Sequence, residues 1–121
     1  MLNQRKRGDY MDSITKLQKA LHLRMYGKPD DYYEESLWKE EIDAICMDIP
    51  AVIRFILSDC SDEEFQWLSE VFDDVMEKTR SLDFLNCIRQ RVQAVKDDGR
   101  RAELLEDIKT AEEYIDEPTK K

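Results

Sequence analysis

The chain has 121 residues, enough for one domain built on one core. Hydrophobic residues make up 41% and charged residues 39%, with only three Gly and three Pro, which fits a small helical protein and disfavours a fold of many tight β-turns. The net charge of −9 argues against a nucleic-acid partner, and no apolar run approaches the roughly 20 residues of a membrane span.

Residues 1–10, MLNQRKRGDY, lack periodicity and are expected to be a disordered basic tail. Met11 is an alternative start. Arg5, Lys6 and Arg7 are not followed by an apolar stretch, so they do not open a secretory signal. Read as a nucleic-acid-binding arm, they lack interleaved aromatic residues.

The first helix is expected from Asp12 or Ser13 to Tyr26, with Ile14, Leu17, Leu21 and Met25 as its apolar stripe. Lys16, Lys19 and Arg24 are placed outside that stripe, and His22, the single histidine, toward the polar side. Gly27 and Pro29 end the helix. KPDDYY (28–33) then turns into a second helix that runs to about Met47, with Trp38, Ile42 and Ile45 buried. Asp30, Asp31, Glu34 and Glu35 crowd its first turns, where carboxylates favour the positive end of the helix dipole. Tyr32 and Tyr33 beside them suit a binding surface or a staple at the helix start.

Asp48 caps a third helix, Ile49 to Ser58, with Pro50 in its first turn. It is apolar nearly all round, so it is expected at the centre of the fold. The fourth helix, Ser61 to Thr79, opens with the capping box Ser61-x-x-Glu64. Phe65, Leu68, Val71, Phe72, Val75 and Met76 share one face of it. Glu63, Glu70, Asp73, Asp74 and Glu77 share the other, with Trp67 at the seam. A fifth helix is expected from Ser81 to Lys96, a break at Asp97-Asp98-Gly99, and a sixth from Arg100 to Asp116 before Pro118.

Short links between such helices make consecutive ones antiparallel neighbours. The expectation is a single all-α domain over residues 11–117, a compact bundle of about six short helices in antiparallel pairs. A HEAT-like stack is one version of it. Residues 118–121 form a loose end.

Little in the chain suggests catalysis. Cys46, Cys60 and Cys87 are odd in number, widely spaced and in apolar contexts, which reads as reduced core cysteines of a cytosolic protein. One histidine and unpaired cysteines do not suit a zinc site or a Cys–His pair, and no phosphate-binding loop is visible. Carboxylates are the abundant resource. Glu40-Glu41-Ile42-Asp43-Ala44 and Glu70-Val71-Phe72-Asp73 resemble the E-E-x-x-E and E-x-x-D signatures of the all-α nucleotide pyrophosphatases, although the third glutamate is missing. That resemblance implies a magnesium-dependent hydrolase as the enzymatic alternative.

The charge is unevenly spread. Residues 1–28 hold seven basic and two acidic groups, residues 29–77 two basic and sixteen acidic, and residues 78–121 ten of each. The middle segment therefore stands at −14 and should attract a basic partner, or else simply keep the domain soluble.

The stretch Cys60 to Ser81, CSDEEFQWLSEVFDDVMEKTRS, resembles a segment of immunity proteins from contact-dependent and other polymorphic bacterial toxin systems, and covers 22 of the 121 residues. The resemblance specifies no catalytic residue. It implies a protein, not an enzyme and without a cofactor, that neutralises one cognate toxin by covering its active site. Toxin nucleases have basic clefts, so the acidic segment is complementary to them. The expected partner-binding residues are Tyr32, Tyr33, Glu34 and Glu35 on the second helix, and Glu70, Asp73, Asp74 and Glu77 on the fourth. A helical module for interaction or self-association is the further alternative.

Overall fold

The computed structural model describes residues 12–27 and 31–116, excepting the side chains of 31–34 and 116. Both expected tails therefore lie outside the described residues. The helices are α1 (Ser13–Tyr26), α2 (Asp31–Met47), α3 (Ile49–Ser58), α4 (Asp62–Leu68), α5 (Phe72–Thr79), α6 (Leu82–Val92) and α7 (Asp98–Asp116), with a 3₁₀ turn, Ser69–Val71, between α4 and α5. No strand occurs among the described residues, and no helix among them is long and apolar enough to cross a membrane. The fold is an all-α bundle of packed helix pairs. α1 lies along α2, α7 packs on α5 and α6, and α3 rests on α6 and α1.

The expected caps form. Asp12 accepts from the Thr15 N–H at 2.8 Å and Asp48 from the Ala51 N–H at 3.2 Å. In the capping box, the Ser61 N–H donates to Glu64 at 2.9 Å and the Glu64 N–H to the Ser61 hydroxyl at 3.0 Å. Gly27 closes α1 by bringing its N–H to the Leu23 carbonyl at 2.8 Å. A Cβ there would stand 2.4 Å from that oxygen, so the close approach requires glycine.

The predicted fourth helix is not continuous. The Ser69 hydroxyl donates back to the Gln66 carbonyl at 2.6 Å, and the chain tightens into the 3₁₀ turn. Three residues at 120° instead of 100° add roughly 60° of rotation. The apolar face survives the break: Phe65, Leu68, Val71, Phe72, Val75 and Met76 are all buried. Phe65, Phe72 and Phe84 form a chain of ring contacts with centroids 5.5 and 6.0 Å apart at the middle of the core.

Three further expectations are corrected. α3 is not central: Val52, Phe55 and Ile56 are buried, but Ile49 and Ile53 are only partly so and Leu57 is 41% exposed. Among the described residues the helix finds neighbours on one side only, which leaves Leu57 and parts of Ile49 and Ile53 uncovered. The α2 stripe is rotated, with Leu37, Glu41, Ala44 and Ile45 innermost and Trp38 and Ile42 at its edge. The α6–α7 junction also differs. α6 stops at Val92, and Asp97 caps α7 by accepting from the Arg100 N–H at 2.8 Å, so Asp98 and Gly99 fall inside the first helical turn. The cysteines are free, with Cys60 and Cys87 buried and Cys46 partly so. Burial pushes the Cys60 and Cys87 thiols up to about 12.

Candidate functional site

The stripe of α1 holds a charge. Arg24 lies seven residues after Leu17, nearly two full turns, and so on the same face. Its side chain is fully buried, contrary to its expected place outside the stripe. It donates through Nη1 to Glu41 Oε1 at 2.5 Å and through Nη2 to Glu70 Oε1. The guanidinium carbon sits 4.9 Å from the Trp38 ring centroid and 5.2 Å from that of Trp67. One cation thus ties α1 to α2 and to the 3₁₀ turn, with an indole from each side as its housing.

This cluster carries one positive and two negative groups. Glu41 is as buried as Arg24, whereas the Glu70 side chain is 45% exposed. Burial, chiefly, pushes the Glu41 carboxyl up to about 7; Arg24 opposes the shift and Glu70 adds to it. Glu41 Oε2 and Arg24 Nε have no hydrogen-bond partner among the described residues. With one guanidinium shared by two carboxylates, the deeper one has the raised proton affinity.

Beside the cluster runs a groove of about 600 Å³ between α2 and α5. Trp38 and Ile42 supply its apolar lining, and Glu35, Asp43 and Asp74 its acidic lining, with Lys39 and Lys78 also present. Glu35 and Asp74, expected on separate helices, therefore meet at one groove.

Asp74 also belongs to an acidic ridge where α5 packs on α7. Asp73, Asp74 and Glu77 face Asp107 and Glu113 across the helix pair, and the Asp73 carboxyl is raised by burial and then by Asp74, Asp107, Glu113 and Glu77 in turn. Asp107 is raised mainly by burial, with Glu103 and Glu106 adding to the shift. Tyr114 lies in the same field, its phenol raised by burial and by Glu77, Asp73, Asp74 and Glu113. Among the described residues, none of Asp73, Asp74, Glu77 and Glu113 forms an ion pair. The ridge is a concentration of negative charge left open to solvent.

Of the residues expected to bind a partner, Asp73, Asp74 and Glu77 stand together on the ridge, and Glu35 stands at the groove. Glu70 is spent on Arg24 while remaining half-exposed. The side chains of Tyr32, Tyr33 and Glu34 lie outside the described residues. His22 pairs with the capping glutamate, its Nε2 2.8 Å from Glu64 Oε2, and so supports the start of α4.

Arg24 and Glu41 hold buried stripe positions that their polarity argues against. Periodicity does not point to Asp107, Glu113 and Tyr114, which join the ridge only through helix packing. The two halves of the pyrophosphatase-like signature do converge, since Glu41 and Glu70 meet, but they meet on a guanidinium. Glu40 is exposed, and no group of three or more His, Cys, Asp or Glu among the described residues is placed to hold a metal ion.

No protein-family model, curated protein or solved structure matches the chain.

Proposed function

We propose that this protein is an acidic helical inhibitor that neutralises a cognate bacterial toxin, foremost a nuclease, by docking its α5–α7 ridge over the toxin's basic active site. The observation that supports this reading is the ridge itself. Carboxylates from two helices gather around Asp73 closely enough to raise its proton affinity, and none of Asp73, Asp74, Glu77 and Glu113 forms an ion pair with a described residue. A field of this kind draws in a basic surface and speeds encounter. The adjoining groove, with Trp38 and Ile42, offers an apolar seat for an anchoring side chain of the partner. The ridge thus supplies rate and selectivity, and the groove supplies residence time.

The test takes a candidate toxin nuclease domain, sought among the genes beside this one. Its nuclease activity is titrated with the protein, and association is followed by stopped flow. A stoichiometric block is expected. The triple variant D73N/D74N/E77Q should slow association by about tenfold or more at low salt, with a smaller effect at high salt. Failure of a stoichiometric excess to inhibit, or binding indifferent to both the substitutions and the salt, removes the proposal.

A further inference from the structure

The outer side of α3 carries a second surface, remote in character from the ridge. Ile49, Ile53 and Leu57, spaced four residues apart, form a ridge along one edge of a groove of about 570 Å³ between α3 and α6. Leu57 is 41% exposed, and Leu82, at the start of α6, is 52% exposed. Among the described residues two charged ones line the groove, one of each sign: Arg54 on α3 and Asp83 on α6. Neither forms an ion pair with a described residue.

We infer that this groove is the self-association surface of the protein and that its occupant is a second copy of the same chain. Charge selects that occupant. Two molecules of net charge −9 repel each other, so they can meet closely only where the local charge vanishes. The lining of this groove is neutral, since its one cation cancels its one anion. A two-fold axis running along the groove brings the α3 edge of each copy against the α6 edge of the other. Arg54 of each copy then faces Asp83 of the other, and both unpaired charges are satisfied at once. A row of residues four apart is also the ridge that packs into the equivalent groove of a crossing helix. The dimer leaves both acidic ridges free, so each assembly offers a partner two docking faces. The inference is independent of what the ridge binds.

Sedimentation equilibrium from about 1 µM to about 1 mM, at low and high salt, reads this directly. The wild-type protein should dimerise, and more tightly at high salt, because screening weakens the net repulsion. Docking of a basic partner on the ridge has the opposite salt dependence. Leu57→Glu, at an exposed position, should give a monomer with an unchanged circular dichroism spectrum. Arg54→Glu and Asp83→Arg should each weaken the dimer by about tenfold, and the double variant should regain most of the loss. Asp83→Arg separates local pairing from global charge. It lowers the net charge to −7, from −9 plus two, and would strengthen association if only overall repulsion mattered. A monomer at about 1 mM in high salt, a tighter dimer from Asp83→Arg, or a double variant no better than its parents overturns the inference.

Discussion

The Arg24 cluster and the α5–α7 ridge are built from the same side chains and treat them in opposite ways. In the cluster, two carboxylates converge on one guanidinium housed by two indoles, with Arg24 and Glu41 away from water. On the ridge, five carboxylates gather, form no ion pair with a described residue and keep their contact with water. The difference teaches which charges hold the fold and which remain available. A buried carboxylate without a counter-ion costs several kcal/mol, so the inner pair must be compensated. An exposed one costs little, because solvent screens it, so the outer group can be left unbalanced for a partner to balance. Glu70 stands at the boundary, bound to Arg24 through one oxygen and still 45% exposed.

The comparison breaks first, and hardest, at Arg24. Arg24→Ala leaves Glu41 buried without its cation and should cost about 3–5 kcal/mol in chemical denaturation. Replacing Arg24 and Glu41 together with Met should recover much of that loss, since Glu70 can turn to water. A double variant as unstable as Arg24→Ala would show that the indole housing, not the buried charge, carries the effect.

A smaller effect follows from the raised carboxyl of Glu41. Its folded-state value of about 7 lies above the ordinary carboxylate range, so its contribution to stability is fully present below that range and is lost as pH rises through about 7. The wild-type unfolding midpoint should therefore fall by a few degrees between about pH 5 and about pH 8. Glu41→Gln should flatten that slope, and the difference between the two proteins isolates the residue because all other groups are common to both. Asp12, Asp62 and Glu64 have lowered values and act in the opposite sense, losing their contribution only as the solution becomes acid.

The ridge should respond least. Asp73→Asn removes a carboxylate repelled by its neighbours and should raise stability by less than about 1 kcal/mol. Added salt should stabilise the wild-type protein slightly as the screening length shrinks from about 10 Å at 0.1 M to about 3 Å at 1 M. The gain should be smaller in D73N/E77Q. A ridge whose neutralisation destabilised the fold would be structural and not an open binding surface.

Most elements were legible because local rules govern them. The S-x-x-E box, the Asp12 and Asp48 caps and the stop at Gly27 act within a few residues, and the structure contains each. The break at Ser69 was not legible, because a serine on a helix bends it only when its hydroxyl turns back to a carbonyl. Arg24 and Glu41 stood in the middle of their stripes, at positions 17, 21 and 24 on α1 and 37, 41 and 45 on α2. Two opposite charges, each centred in an apolar stripe on consecutive helices, are a signal that such stripes must be read by position before polarity. The openness of α3 was hidden for the converse reason. Ten mostly apolar residues indicate a helix that wants cover, but not whether the chain itself supplies all of it.

By itself the sequence determined the all-α class, the bounds of the first three helices, the identity of the core side of α4 and α5, and the concentration of acid in residues 29–77. These follow from hydrogen bonds and burial periods that close within a turn or two of chain. Only the tertiary structure decided which acids are neutralised and which are not. Arg24, Glu41 and Glu70 are 17 and 29 residues apart along the chain, and Asp73 and Asp107 are 34 apart. Coulomb energies depend on distance through space and on burial, and neither is set until the helices have packed.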